Sequence, residues 1–151
     1  MREQFTELLK VAMKAGDKRR VSTLRMITSA LKDRDIEQRG QGKPPLTDDE
    51  ILGLLQKMVK QRQESLAIYE QAGRTDLVEQ ESEEIQILMG FMPAQLDDAA
   101  VAAAIAATIA ETGAASVKDM GKVMAVLKER YAGQMDFAKA SGTVKGMLSG
   151  A

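Results

Sequence analysis

Few residues in this chain have the types and spacing to do chemistry, and those that do lack their usual partners. Serines stand at positions 22, 29, 65, 82, 116, 141 and 149, yet there is no histidine to activate a hydroxyl and no cysteine to replace one. No serine- and glycine-rich loop suggests a Ser-Lys amidase. Glu3 with Glu7, and Glu79 with Glu83, stand four apart as di-metal carboxylates do, but the histidines that accompany such pairs in helical bundles are missing, so both read as solvated faces. The ending ASGTVKGMLSG has glycines and a lysine without the GxxxxGK[ST] spacing that cradles phosphate. The residues therefore imply no catalytic set, no cofactor and no metal.

What remains is charge. The totals nearly cancel, at a net charge of -1, but the distribution is segregated. From Lys10 to Arg34 there are eight basic residues against two acidic ones, and from Asp76 to Glu84 five acidic residues and no basic one. Lys18, Arg25 and Lys32 recur every seven residues. On a helix that spacing makes one row, able to follow a phosphate backbone. The competing expectation pairs the row with the acidic segment or leaves it solvated, and the row alone favours that one. The five aromatics are not interleaved with bases as in single-strand binders, so any RNA would be met through its shape and backbone.

The elements that must carry these residues all read as helices. Phe5, Leu8, Leu9 and Ala12 mark a first helix over residues 2–15, stopped by Gly16 and followed by Asp17 as a new N-cap. The second, from about Lys18 to Glu37, buries Val21, Leu24, Ile27 or Thr28, and Leu31. RGQGKPP is a loop. Thr47 and Glu50 form a capping box for a long third helix reaching about Ala72, and Thr75 or Asp76 caps a fourth. Pro93 marks a domain boundary.

Beyond it, Asp97 caps an alanine-dominated helix that must pack closely, because alanine buries little area. SVKDMGKVMAVLKERYAG, residues 116–133, reads as a helix capped by Ser116 and ended by Gly133. A last helix runs from about Asp136 to Leu148. Met120, Met124, Met135 and Met147 read as core filling rather than a groove. Gly121 falls inside its helix, where glycine costs about 1 kcal/mol relative to alanine, and packing into the core is the expected compensation. The expected fold is all-α, with a four-helix bundle-like domain over residues 1–92 and a three-helix domain over 93–151. No apolar run approaches the roughly 20 residues of a membrane span, and MREQFTELLK lacks a signal-peptide core, so the expected location is cytoplasmic, without a membrane partner.

Four segments carry a resemblance: MKAGDKRRVSTLRMITSALK at 13–32, LTDDEILGLLQKMVKQRQESLAIYEQAGRTDL at 46–77, FMPAQL at 91–96, and ETGAASVKDMGKVMAVLKERYAG at 111–133. They closely resemble the YqeY proteins of bacteria, and the likeness extends over nearly the whole chain. It implies two helical domains, the second similar to the tail of GatB, a subunit of the glutamine-dependent tRNA amidotransferase. That tail is a mobile module contacting tRNA.

Carried over residue by residue, the tail motif falls on Gly121, Lys122, Met124 and Lys128, with Gly133 and Asp136 at the following turn. Where such tails often place a base after the glycine, this chain has Gln134, and Lys139 is the nearest cation. The resemblance implies tRNA and the amidotransferase as partners and an association with carbon-nitrogen ligase activity using glutamine as amido-N donor. The GatB catalytic domain is absent, so the implied role is a non-catalytic adaptor. Its alternatives are an accessory in amidotransfer and a protein-protein interaction module.

Overall fold

The structure, a computed structural model, describes residues 1–150 and is helical, with no strand among them. The elements are α1 (Arg2–Ala15), α2 (Lys18–Gly40), α3 (Asp48–Gln71), α4 (Thr75–Met89), α5 (Asp98–Thr112), a short 3-10 turn (Val117–Asp119), α6 (Met120–Arg130) and α7 (Phe137–Ser149). They fall into two compact units, one spanning Met1–Met92 and the other beginning at Pro93.

Short-range capping sets most helix starts. Asp17 accepts from the Arg20 N–H at 3.1 Å, and Thr47 and Glu50 exchange the reciprocal bonds of a capping box. Asp97 accepts from Ala100 at 2.7 Å and Asp136 from Ala138 at 3.0 Å. Gly16, Gly73, Gly113 and Gly133 take left-handed φ near 70°, which glycine reaches without steric penalty.

Two expected caps differ. The N-cap of α4 is Arg74, with no capping side chain, and Thr75 and Asp76 already lie inside the helix. The helix expected from Ser116 starts with the 3-10 turn, and α6 proper begins only at Met120. There the Asp119 carboxylate accepts from the N–H groups of Ala115 at 2.9 Å and Ser116 at 3.3 Å, so the tighter turn satisfies donors that an α-helical start would leave to solvent.

In the first unit α1 packs along α2, α3 along α4, and α2 against α4. Phe5, Leu24, Ile27, Leu55 and Leu88 are fully buried at its centre, and Phe5 meets Phe91 edge-on with ring centroids 5.2 Å apart. Arg2 forks onto Asp35, and both reach Leu46: the Arg2 guanidinium donates to its carbonyl at 2.7 Å and its N–H donates to Asp35 at 3.0 Å. This pins the loop before α3 to α1 and α2.

The second unit packs α5, α6 and α7 mutually around Ile105, Val123, Leu127 and Val144. Ala104 and Ala140 are buried there too, the close approach that the alanine-rich helix requires. Leu96 donates its N–H to the Gln134 carbonyl at 2.9 Å, tying the segment before α5 to the turn before α7. Met135 is buried and Met120 and Met124 pack against this core. Met147, expected inside, is exposed, because α7 turns Val144 and Leu148 inward instead.

Gly121 also departs from expectation. It is exposed, and a Cβ placed on it would meet nothing within 4 Å. It occupies the second position of α6, not the middle of a longer helix, so the core makes no demand for glycine.

Candidate functional site

The six candidate cations lie on three helices. Lys18, Arg25 and Lys32 are exposed on α2, Lys122 and Lys128 on α6, and Lys139 on α7. Seven-residue steps bring each α2 cation back within about 20° of the last and roughly 10.5 Å further along the axis, so the three do form a row. Lys122 and Lys128 are six residues apart, hence about 120° apart around α6, and do not share a face. Lys139 is not free: its ammonium stands 3.7 Å from Asp98.

The acidic helix does not neutralise the α2 row. Glu83 of α4 binds Arg19 at 2.8 Å and Glu84 binds Arg62 at 3.1 Å, while Asp76 pairs with Arg74 at 3.3 Å. Among the described residues no ion pair engages Lys18, Arg25, Lys32, Lys122 or Lys128. The expected pairing of row with acidic segment is thus replaced by pairing through Arg19 and Arg62, whose angular positions turn them toward α4.

The Arg62–Glu84 pair is the polar centre of the first unit. Their side chains are 13% and 5% exposed. Gln80 donates to Glu84 at 3.3 Å, and Arg62 also donates to the Met58 carbonyl and to the Met26 sulfur, each at 3.1 Å. Beside it, burial and the Glu84 charge push the Glu81 carboxyl up from its ordinary range, and one Glu81 oxygen is buried without a hydrogen-bond partner. The fork from Arg2 holds Asp35 below the usual carboxylate range. In the turn before α6, the N–H groups of Ala115 and Ser116, with a smaller contribution from Lys122, do the same for Asp119.

A concavity of about 930 Å³ runs along α2 beside the end of α1, with Lys18 and Arg25 on its edge and Met13, Val21, Met26 and Ala30 among its walls. Sequence reasoning found the cations and missed the depression. The seven-residue repeat announces the row, whereas the apolar strip beside it looks like ordinary core. The tail positions have structural roles visible here: Asp136 caps α7, Gly133 makes the left-handed turn before it, and Met124 packs on the core. No cluster of three or more metal-ligating side chains occurs among the described residues, and no single described helix is long and apolar enough to cross a membrane. The arrangement is suited to binding anions through exposed cations.

The model of the Yqey-like protein family matches residues 2–148. The chain belongs to the YqeY family. Among similar proteins, Altered inheritance of mitochondria protein 41 of Eremothecium gossypii is 34% identical over 86 residues, covering 57% of this chain and 45% of that protein. The protein of the same name from Clavispora lusitaniae is 37% identical over 84 residues, with coverage of 56% and 46%. An uncharacterised Schizosaccharomyces pombe protein is 34% identical over 83 residues, covering 54% of this chain and 63% of that one. The YqeY chain thus spans about half to under two thirds of the length of these relatives. The first two are mitochondrial by name.

Proposed function

We propose that this YqeY-family chain is a non-catalytic tRNA-binding adaptor of the cytoplasm, linked to the glutamine-dependent tRNA amidotransferase. In this reading α1–α4 form the bundle-like domain and α5–α7 the tail similar to that of GatB. The supporting observation is that Lys18, Arg25, Lys32, Lys122 and Lys128 are exposed and unpaired although an acidic helix lies in the same chain. Exposed cations outside any ion pair are available to phosphates, and release of counterions from the nucleic acid then drives binding. Lys139 contributes only after leaving Asp98.

Electrophoretic mobility of labelled tRNA, titrated with the chain at about 50 mM salt, tests the reading. Binding should weaken steeply with added salt and fall about ten-fold or more in Lys122→Glu/Lys128→Glu, with a further loss in Lys18→Glu/Arg25→Glu/Lys32→Glu. Absence of binding at low salt, or variants that bind as the parent does, would overturn it. Adding the chain to an amidotransferase assay with misacylated tRNA and glutamine distinguishes the adaptor from an accessory in the reaction, through a change in product formation.

A further inference from the structure

The concavity on α2 has an apolar floor that phosphate binding does not explain. Of its lining residues Met13 is 53% exposed, and Val21, Met26 and Ala30 are half-buried. At Ala30 and Asp33 it meets a second depression of about 310 Å³, walled by Leu54, Lys57 and Met58 of α3. Together they make a trench along α2 from Lys18 to Asp33, which at 1.5 Å per residue is roughly 22 Å, or four helical turns. Arg62, locked in its pair with Glu84, lines the second depression and donates to the Met26 sulfur, which fixes that floor residue.

We infer that this trench docks an acidic amphipathic helix of a partner protein. Helix-in-groove recognition needs an apolar floor for side chains at i, i+3, i+4 and i+7 and a rim of complementary charge. Methionine floors adapt to such side chains. The rim offers unpaired Lys18 and Arg25 along the first depression and Lys57 on the second, against the single carboxylate of Asp33. A helix carrying carboxylates along both edges of its apolar stripe satisfies floor and rim together. RNA satisfies only the rim: no aromatic ring lines the trench, so bases have nothing to stack on, and Val21 and Met26 would stay bare beneath a phosphate backbone. This inference goes beyond the tRNA reading and does not rest on it. A docked helix covers Lys18 and Arg25 of the first unit, whereas Lys122 and Lys128 belong to the second.

The test uses the full chain as bait for a displayed library of randomised helical peptides, followed by fluorescence anisotropy of the enriched ones. Two variants serve as controls. Ser22→Trp places a ring in the trench from an exposed position and so spares the core, and Lys18→Glu/Arg25→Glu reverses the rim; circular dichroism checks that both fold. Enriched peptides should combine Glu or Asp with apolar residues at helical spacing and bind about ten-fold more weakly to either variant, a loss of roughly 1.4 kcal/mol. Enrichment of basic or non-periodic peptides, or affinity unchanged by Ser22→Trp, overturns the proposal. So does a dimer in light scattering that Ser22→Trp abolishes, which would make the trench a contact between copies. If Ser22→Trp weakens tRNA as much as peptide, the trench is an RNA site. Lys122→Glu/Lys128→Glu should impair tRNA alone, so failure of one reading is distinguishable from failure of the other.

Discussion

The two units of this chain solve the same packing problem with opposite means. The first closes its interior with charge, Arg62 reaching Glu84 across 22 residues of sequence, and a part-buried pair, Arg2 with Asp35, spans 33. Among the described residues the second has no such pair at its centre. It relies on Ala104 and Ala140 at the helix contacts and on backbone caps, and its ion pairs, Arg130 with Glu111 and Lys139 with Asp98, lie at the surface. The contrast explains why α4 can be strongly acidic without masking the α2 row. Glu84 is committed to the buried Arg62, Glu83 to Arg19 and Asp76 to Arg74, and the row of Lys18, Arg25 and Lys32 is left available.

Replacing one partner of the buried pair is the strongest way to break this comparison. Arg62→Leu should lower unfolding free energy by about 3–5 kcal/mol in urea denaturation, because Glu84 is left charged and buried. Arg62→Leu/Glu84→Leu should recover most of that loss, since two apolar groups need no counter-charge. Arg130→Leu, removing an exposed pair of the second unit, should barely move the midpoint. Equal losses in Arg62→Leu and Arg130→Leu would mean that the units do not differ as described.

The second unit is sensitive to volume instead. Ala140 is 1% exposed, so Ala140→Leu forces added methylenes into a packed contact and should destabilise by about 1–3 kcal/mol, read from the same denaturation curves. Tolerance of leucine would show that α7 is loosely seated.

Acid and base should act on the first unit through two carboxyls with opposite signs. Asp35 is held below its ordinary range in the fold, so its contribution is present above the unfolded value and lost as pH falls through the folded one. Glu81 is raised, so its contribution is present below the unfolded value and lost as pH rises through the folded one. Glu81→Gln should therefore stabilise near neutral pH, by about 1 kcal/mol, and flatten the limb just above the ordinary carboxylate range. Asp35→Asn should weaken the protein near neutrality and flatten the acid limb. Urea midpoints measured across pH for the two variants check both signs; parallel curves for parent and variants would refute them.

What the sequence made legible follows the range of the interactions. Thr47 with Glu50, Asp97 with Ala100, and Asp136 with Ala138 act within three residues, and each helix start they announce is where it was expected. The row of Lys18, Arg25 and Lys32 is equally local, a matter of period alone. Arg62–Glu84 and Arg2–Asp35 could not be read in this way, because nothing near an arginine in sequence tells which distant carboxylate it will face. The trench was hidden for a related reason: Val21 belongs to an apolar strip that looks like core, and only the placement of α1 and α3 decides which part of that strip is left open.

Gly121 is the sharpest case of a local signal misread. A penalty of about 1 kcal/mol belongs to glycine in a helix interior, and it invited a packing explanation. The 3-10 turn moves the start of α6 to Met120, so Gly121 sits in the first turn with open space around it. Gly121→Ala should then stabilise the second unit slightly, by about 0.5–1 kcal/mol, through loss of freedom in the unfolded chain. Gly113→Ala gives the contrast: there φ is 68°, and the same added methyl should destabilise by about 1 kcal/mol. Thermal unfolding of the two variants reads both signs. A loss of stability in Gly121→Ala would return the glycine to a structural role. Unchanged or raised stability, together with weakened tRNA binding, would show instead that the bare backbone at Gly121 is needed by the ligand and not by the fold.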